Sequence, residues 1–437
     1  MTEIKERLFK KEYLTPFILV TALFLFWGIP NNLNDVLIKQ FMKSFEITRL
    51  KAGLVQSAFY MGYFVLAVPA AMIMKKYNYK TGLIIGMLLY SLGTFLFWPA
   101  ALIGKYGFFL VALFVIAMGL SFLETGANPF IAGLGSQGSS ERRLNFSQAF
   151  NPIGAMLGVI IGTAFIFSGV EHDEASVEAM KLAGEYDAYL HSETMRVIRP
   201  YMILGLVILG WAAIIWRAKF PKIEAEQAHE EGPKGNAREL LKFPHFTQGV
   251  IAQFCYVGAQ VGTWSFFIQY VQDNTGLAEK PAGLFLTGTL AAFLIGRFSA
   301  TIIMKYWEPR KLMGLYSIIN VILVTIGVVY PGWVGVWSIF LTSFFMSLMF
   351  PTIFAMSIKG LGPNTKIGGS IVVMAIIGGA VFTPIMGLIS DRTGNMAMGM
   401  IVPIFCYIYV AYYAYIGSKP KGNLYLEEEG DAPIISH

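Results

Sequence analysis

The sequence predicts an all-α membrane protein whose twelve transmembrane helices form two pseudo-symmetric six-helix halves. Three observations predict it: a shortage of polar residues, twelve apolar runs long enough to cross a bilayer, and a repeat relating the first six runs to the last six. Of 437 residues, 55% are hydrophobic and only 14% charged, with mean hydropathy +0.58. A soluble domain carries about a quarter charged residues to wet its surface, so lipid must solvate most of this chain. The net charge of +6 comes from basic residues scattered through short loops rather than gathered in a patch. That argues against a nucleic-acid partner.

Runs of about 20 apolar residues, the length that crosses a hydrocarbon core of roughly 30 Å, fall at 14–38, 52–74, 81–101, 107–133, 144–168, 200–218, 246–271, 281–304, 312–330, 333–358, 367–389 and 396–417. The charged start, MTEIKERLFKKEY, precedes a run with no small-residue cleavage site, so the first run is expected to be a retained helix. With both termini cytoplasmic, the inner loops and tails hold 22 Lys and Arg against 10 outside, which fits the positive-inside rule. Two long polar breaks remain. Residues 169–199 are acidic and expected outside; residues 219–243 are inside and separate an N-terminal half (1–218) from a C-terminal half (244–437).

The repeat supports this division. Ala52-Gly53-Leu54 through Met74-Lys75 recurs as Ala282-Gly283-Leu284 through Met304-Lys305, with the same 21-residue separation from Gly to Met. FIAGLG (130–135) and SIKGLG (357–362) close the fourth and tenth runs, and Ile153-Gly154-Ala155 and Ile377-Gly378-Gly379 follow in the next ones. Duplicated halves mark a secondary transporter with its substrate site near the midplane.

Asp35 and Glu124 are the acidic residues placed inside apolar runs. A carboxylate at the bilayer centre costs about 2.5 to 3.5 kcal/mol on insertion scales and marks an ion or proton pathway. In the first run, Trp27, Asn31 and Asp35 are spaced by four and Asn34 lies seven from Trp27, so they share a helix face. Such a stripe can stack a sugar ring on Trp27, bond hydroxyls through Asn31 or Asn34, and exchange a proton at Asp35. The competing reading makes NNLND a water-exposed helix end. Glu124 leads into Asn128 and Pro129, where Gly126 and Pro129 weaken the helix beside a cavity or a neighbour. It must either carry a proton or pair across the bundle.

Asn145, Gln148 and Asn151 form a stripe in the fifth run, and Gln253, Tyr256, Gln260 and Trp264 one in the seventh. Amides both donate and accept, which suits a ligand made of hydroxyls; they also glue membrane helices together. Arg297 is read as snorkelling toward the cytoplasmic face. Cys255 and Cys406 read as small apolar residues. No CxxC, His pair, phosphate loop or nucleophile–base pairing stands out, so no metal, no cofactor and no enzyme activity is expected. The expected partners are a monosaccharide, a proton and the bilayer, and the chain is read as a monomer.

NNLND (31–35), LETGANPF (123–130), QAFN (148–151), QFCYVGAQ (253–260), LTGT (286–289), IGRF (295–298), FPTIF (350–354) and the run 365–395 together resemble the fucose, galactose and glucose branch of the major facilitator superfamily. The resemblance extends over about residues 14 to 415, and GLISDRTGN (387–395) resembles that superfamily's loop signature. It implies a major facilitator fold with alternating access in a bacterial inner membrane, importing L-fucose with a proton. It implies Asp35 and Glu124 as the protonatable pair, Glu124 also at the sugar, and Asn151 lining the cavity along with Trp27, Gln148 and Asn31. Glu124 favours the fucose type, since glucose and galactose members tend to have glutamine there. Phe350 departs from the tyrosine of the fucose type and is counted with the sugar site. It leaves transport of glucose, galactose or another hexose with a cation as the alternative.

Overall fold

The structure, a computed structural model, describes residues 13–134, 143, 146–170, 172–221, 237–304, 306–361 and 364–419. All the regular structure among these residues is helical. Asn145 and the greater part of the central linker lie outside them.

The first span, Leu14–Phe45, continues well past its expected end at 38, so Asp35 lies in the helix interior rather than at a wetted terminus. Arg49–Lys76 follows, its free N-terminal N–H groups met by Thr48, whose hydroxyl accepts from the Lys51 amide at 3.3 Å. Asn78 caps the third span in the same way at 2.7 Å; Tyr79–Phe95 continues as Phe97–Ile103. Tyr106–Gly133 forms the fourth span, Phe150–Ile161 with a wide turn over Gly162–Ile166 the fifth, and Ile198–Arg217 the sixth.

In the second set, Pro244–Thr275 and Pro309–Val329 each begin on proline, whose missing N–H costs nothing at a first helical position. Glu279–Ile303 lies between them. The tenth span breaks into Trp333–Met346 and Met349–Ile358. The eleventh breaks into Thr365–Met374, a tight turn over Ala375–Ile377, and Gly378–Thr393. Met396–Gly417 completes the twelve.

Among the described residues, eleven of these helices are long and apolar enough to cross a membrane. The seventh is more polar, because Gln253, Gln260, Gln269, Gln272 and Asp273 all fall on it. The acidic segment 169–199 carries two helices of its own, Glu174–Ala183 and Tyr186–Met195. Asp173 caps the first by accepting from the Ser176 amide at 2.9 Å. Gln40 holds the second to the first span, donating to the Glu193 carbonyl at 2.9 Å.

Within each set, buried polar bonds link neighbouring spans. The Tyr90 hydroxyl donates to the Phe26 carbonyl at 3.0 Å and Trp211 Nε1 to the Leu19 carbonyl at 3.0 Å. In the second set, Tyr270 donates to the Gly327 carbonyl at 2.6 Å and Thr289 to Ser343 at 2.7 Å. With no water to compete, such bonds and close backbone packing replace the hydrophobic drive of a soluble core. Ile203, Leu206, Trp216, Phe298 and Phe405 face outward, as lipid-facing residues would.

Candidate functional site

Between the two sets lies a cavity of about 250 Å³. Ten of the site residues expected from sequence line it: Trp27, Asn31 and Asp35 from the first span, Glu124 and Asn128 from the fourth, Gln148 and Asn151 around the start of the fifth, Gln260 and Trp264 from the seventh, and Phe350 from the tenth. The interruptions in the tenth and eleventh spans sit at this level, bringing Phe350 and Ile376 to the wall.

Gln253 and Tyr256 stand outside the lining. Gln253 shares the helix face of Gln260 but lies a full two turns, about 10 Å, farther along the axis. Its amide is buried with neither atom partnered among the described residues. Tyr256 is fully buried and packs its ring against Phe350, with centroids 6.4 Å apart. The structure thus brings Gln260 and Trp264 of the seventh-span stripe to the wall and leaves Gln253 and Tyr256 off it. Asn34 is also buried away from the wall.

Asp35 is 2% exposed and fully engaged. Its Oδ2 accepts from Asn32 Nδ2 at 3.0 Å, and its Oδ1 accepts from Gln56 Nε2 at 2.9 Å and from Ser265 Oγ at 2.9 Å. Ser265 belongs to the seventh span, so this carboxylate joins the two sets. Glu124 is half-buried and faces the cavity, and among the described residues no side chain donates to its carboxylate. Around it runs a short polar chain: Gln148 Nε2 donates to Asn128 Oδ1 at 3.2 Å, and Asn128 Nδ2 to the Glu124 carbonyl at 3.0 Å. Asn151 Nδ2 donates to the Phe24 carbonyl at 3.3 Å, which fixes the amide at the wall.

Two aromatic pairs complete the lining. Trp27 packs on Phe24 with centroids 4.4 Å apart, and Trp264 meets Phe293 edge-on at 5.1 Å while its Nε1 donates to Ser343 at 3.0 Å. Arg297 corrects the snorkelling expectation. Its guanidinium lies 4.8 Å from the Phe293 ring centre, its Nε donates to the Ser347 carbonyl at 3.3 Å, and it reaches the cavity. The break after Met346 supplies that carbonyl.

Sequence reasoning missed Gln56, Tyr60 and Tyr63, which line the same cavity from the second span. Their spacing of four and three is the signal used elsewhere, hidden here in an apolar run that contains no charge.

One end of the bundle is clamped. Arg49 pairs with Asp273 at 2.6 Å, and the Asp391 carboxylate of GLISDRTGN accepts from the backbone N–H groups of Arg49 at 2.9 Å and Leu50 at 2.8 Å. An anion at a helix N-terminus satisfies orphan donors and opposes the helix dipole. Lys43 lies 3.1 Å from Glu193 and 3.6 Å from the fully buried Glu279, whose other oxygen accepts from the Gly169 amide at 2.8 Å. The duplicated glycines make the close approach possible. A Cβ on Gly53 would lie 2.9 Å from Pro384 Cα, and one on Gly283 would lie 2.5 Å from Thr163 Oγ1. Each copy therefore packs on a helix of the other set.

A model of the Major Facilitator Superfamily matches residues 17–366. The chain belongs to the major facilitator superfamily. It is 42% identical over 94% of its length, and 95% of the relative's, to an L-fucose-proton symporter of Escherichia coli. It is 34% identical to a glucose/galactose transporter of Brucella abortus, over 92% and 93% of the two chains. The crystal structure of the transporter FucP in the outward conformation superposes with a TM-score of 0.70 at 42% identity, covering 94% of this chain and 100% of that one. An inward-facing bacterial homologue of the lysosomal transporter Spinster shares the fold, with TM-score 0.71 at 14% identity over 94% and 97% of the two chains. As in that superfamily, this facilitator is a multi-pass membrane transporter rather than an enzyme.

Proposed function

We propose that this facilitator imports L-fucose with a proton by alternating access. The observation that carries the reading is the convergence of two carboxylates, a set of amides and two aromatic pairs on one cavity between the sets of spans. Amides and the Glu124 carboxylate suit ring hydroxyls, and Trp27 or Trp264 the C–H face of the sugar. Relatives named for L-fucose at 42% and 35% identity support the sugar and the ion.

In this reading both termini are cytoplasmic, the membrane is a bacterial inner membrane, and the monomer is the working unit. Residues 1–218 and 244–437 rock as two halves joined by 219–243. The clamped end then faces outward, and this is the conformation closed to the outside. Import begins in the opposite conformation: protonation, sugar binding, closure of the outer end, then release of sugar and proton inside.

The second reading, glucose or galactose as cargo, draws on Phe350, where the fucose type has a tyrosine hydroxyl. Purified chain in sealed proteoliposomes under an imposed proton gradient tests both. Labelled L-fucose is expected to accumulate and to be displaced best by unlabelled L-fucose. Displacement by glucose or galactose but not by L-fucose would establish the second reading, and no accumulation of any sugar would leave a sugar sensor.

A further inference from the structure

We infer that Gln56 and Ser265 are positioning residues forming a latch between the halves, which is made by the ionised form of Asp35 and opened by its proton. The inference rests on the proton-symport reading above. Its basis is a closed triangle of bonds. Gln56 Nε2 donates both to Asp35 Oδ1 at 2.9 Å and to Ser265 Oγ at 2.8 Å, and Ser265 in turn donates to the same carboxylate oxygen at 2.9 Å. Asp35 and Gln56 belong to the first and second spans and Ser265 to the seventh. All three are buried.

The donors and acceptors decide what the triangle can report. An ionised carboxylate only accepts, and each of its three side-chain partners, Asn32, Gln56 and Ser265, reaches it as a donor. A proton on Oδ2 therefore points at the Asn32 N–H, and one on Oδ1 at the Gln56 N–H and at the Ser265 hydroxyl, which alone of the three can also accept. Within this group the acceptor already buried and, among the described residues, without a partner is Gln56 Oε1. Turning the amide to offer that oxygen takes Nε2 away from Ser265. Protonation thus adds a bond within the N-terminal half and takes from the bond between Ser265 and Asp35 the charge that strengthens it. Ser265 can serve the ionised carboxylate only while the clamped end is closed, so loss of the proton toward the inside and completion of the latch are one event.

Other ionisable groups share these surroundings. Glu124 on the fourth span, Tyr60 and Tyr63 on the second and Arg297 on the eighth line the cavity. On the seventh span, Tyr256 packs on Phe350, Tyr270 donates to the Gly327 carbonyl, Cys255 is half-buried and Asp273 sits at the clamped end. On the eleventh, Asp391 lies at that same end. Substitution at Ser265 leaves each of these in place.

The test compares wild type, Ser265→Ala and Ser265→Thr, full-length in proteoliposomes, by two readouts. One is exchange of labelled for unlabelled L-fucose at saturating sugar on both sides, which needs no proton release. The other is net uptake driven by a proton gradient, as a function of luminal pH. In Ser265→Ala, net uptake is expected to fall several-fold relative to exchange. Its luminal pH dependence should move about one unit alkaline, the scale of one lost hydrogen bond to a charged group. Ser265→Thr, which keeps the hydroxyl, should restore both. A wild-type luminal pH profile in Ser265→Ala overturns the latch, as does an equal loss of exchange and net uptake in both variants, which marks a packing role. Failure of the wild type itself to concentrate L-fucose overturns the symport reading and the latch with it.

Discussion

The two intramembrane carboxylates sit in opposite circumstances. Asp35 is buried, its oxygens shared among three donors, one of them on the far side of the interface. Glu124 is half-buried at the cavity wall, where among the described residues no side chain donates to its oxygens. A carboxylate whose lone pairs are used by the protein is placed to sense how the protein is arranged. One whose lone pairs face open space is placed to bind what enters. In the proposed reading, two acids that look alike in sequence divide the work, Asp35 coupling the proton to the conformation and Glu124 coupling it to the cargo.

The strongest way to break this division is to neutralise each acid in turn. Asp35→Asn is expected to reduce uphill accumulation, and the alkalinisation of the medium that accompanies uptake, to background while sugar exchange persists. A pH electrode and labelled exchange on the same vesicles measure both. Glu124→Gln is expected to weaken L-fucose binding itself by tenfold or more, the loss of a hydrogen bond to a charged group, as read by titration calorimetry. If the two variants behave alike, the division fails. A smaller effect is expected from Gln148→Ala, about fivefold in binding for one neutral hydrogen bond. Arg49→Ala should shift the population only a few-fold toward the state open at the clamped end, because a partly exposed ion pair contributes little. Labelling of a cysteine introduced at that end would report it. Smallest of all is Tyr256→Phe. Its hydroxyl is buried without a hydrogen-bond partner among the described residues and lies outside the cavity lining, so apparent affinity should change less than twofold.

The spans, the carboxylates and most of the amides of the cavity wall were legible in the sequence because membrane helices expose their function as polar exceptions to an apolar rule. Asp35 and Glu124 stand out for that reason. Angle around a helix was legible as well, through spacings of three and four, but level along it was not. Gln253 and Gln260 have nearly the same angle, and only the packed bundle reveals that Gln260 reaches the cavity and Gln253 does not. Gln56, Tyr60 and Tyr63 carried the right spacing without a charge to draw notice. Ser265 carried no signal at all, since its importance comes from Asp35 and Gln56, distant in sequence. The helices within 169–199 were hidden because their apolar contacts are few and they are held largely by polar bonds to the first span.

The polarity of the seventh helix has a consequence for how the molecule is made. A segment bearing five glutamines and an aspartate is a poor client for the lateral gate of a translocon, where each strongly polar side chain near the centre opposes partitioning into lipid. It is expected to enter the bilayer efficiently only alongside the segments that shelter it, and a glycosylation-mapping assay on the isolated helix, compared with one carrying the eighth helix too, would detect that dependence. The polar side chains of the seventh helix are thus expected to make the second half a cooperative passenger during biosynthesis.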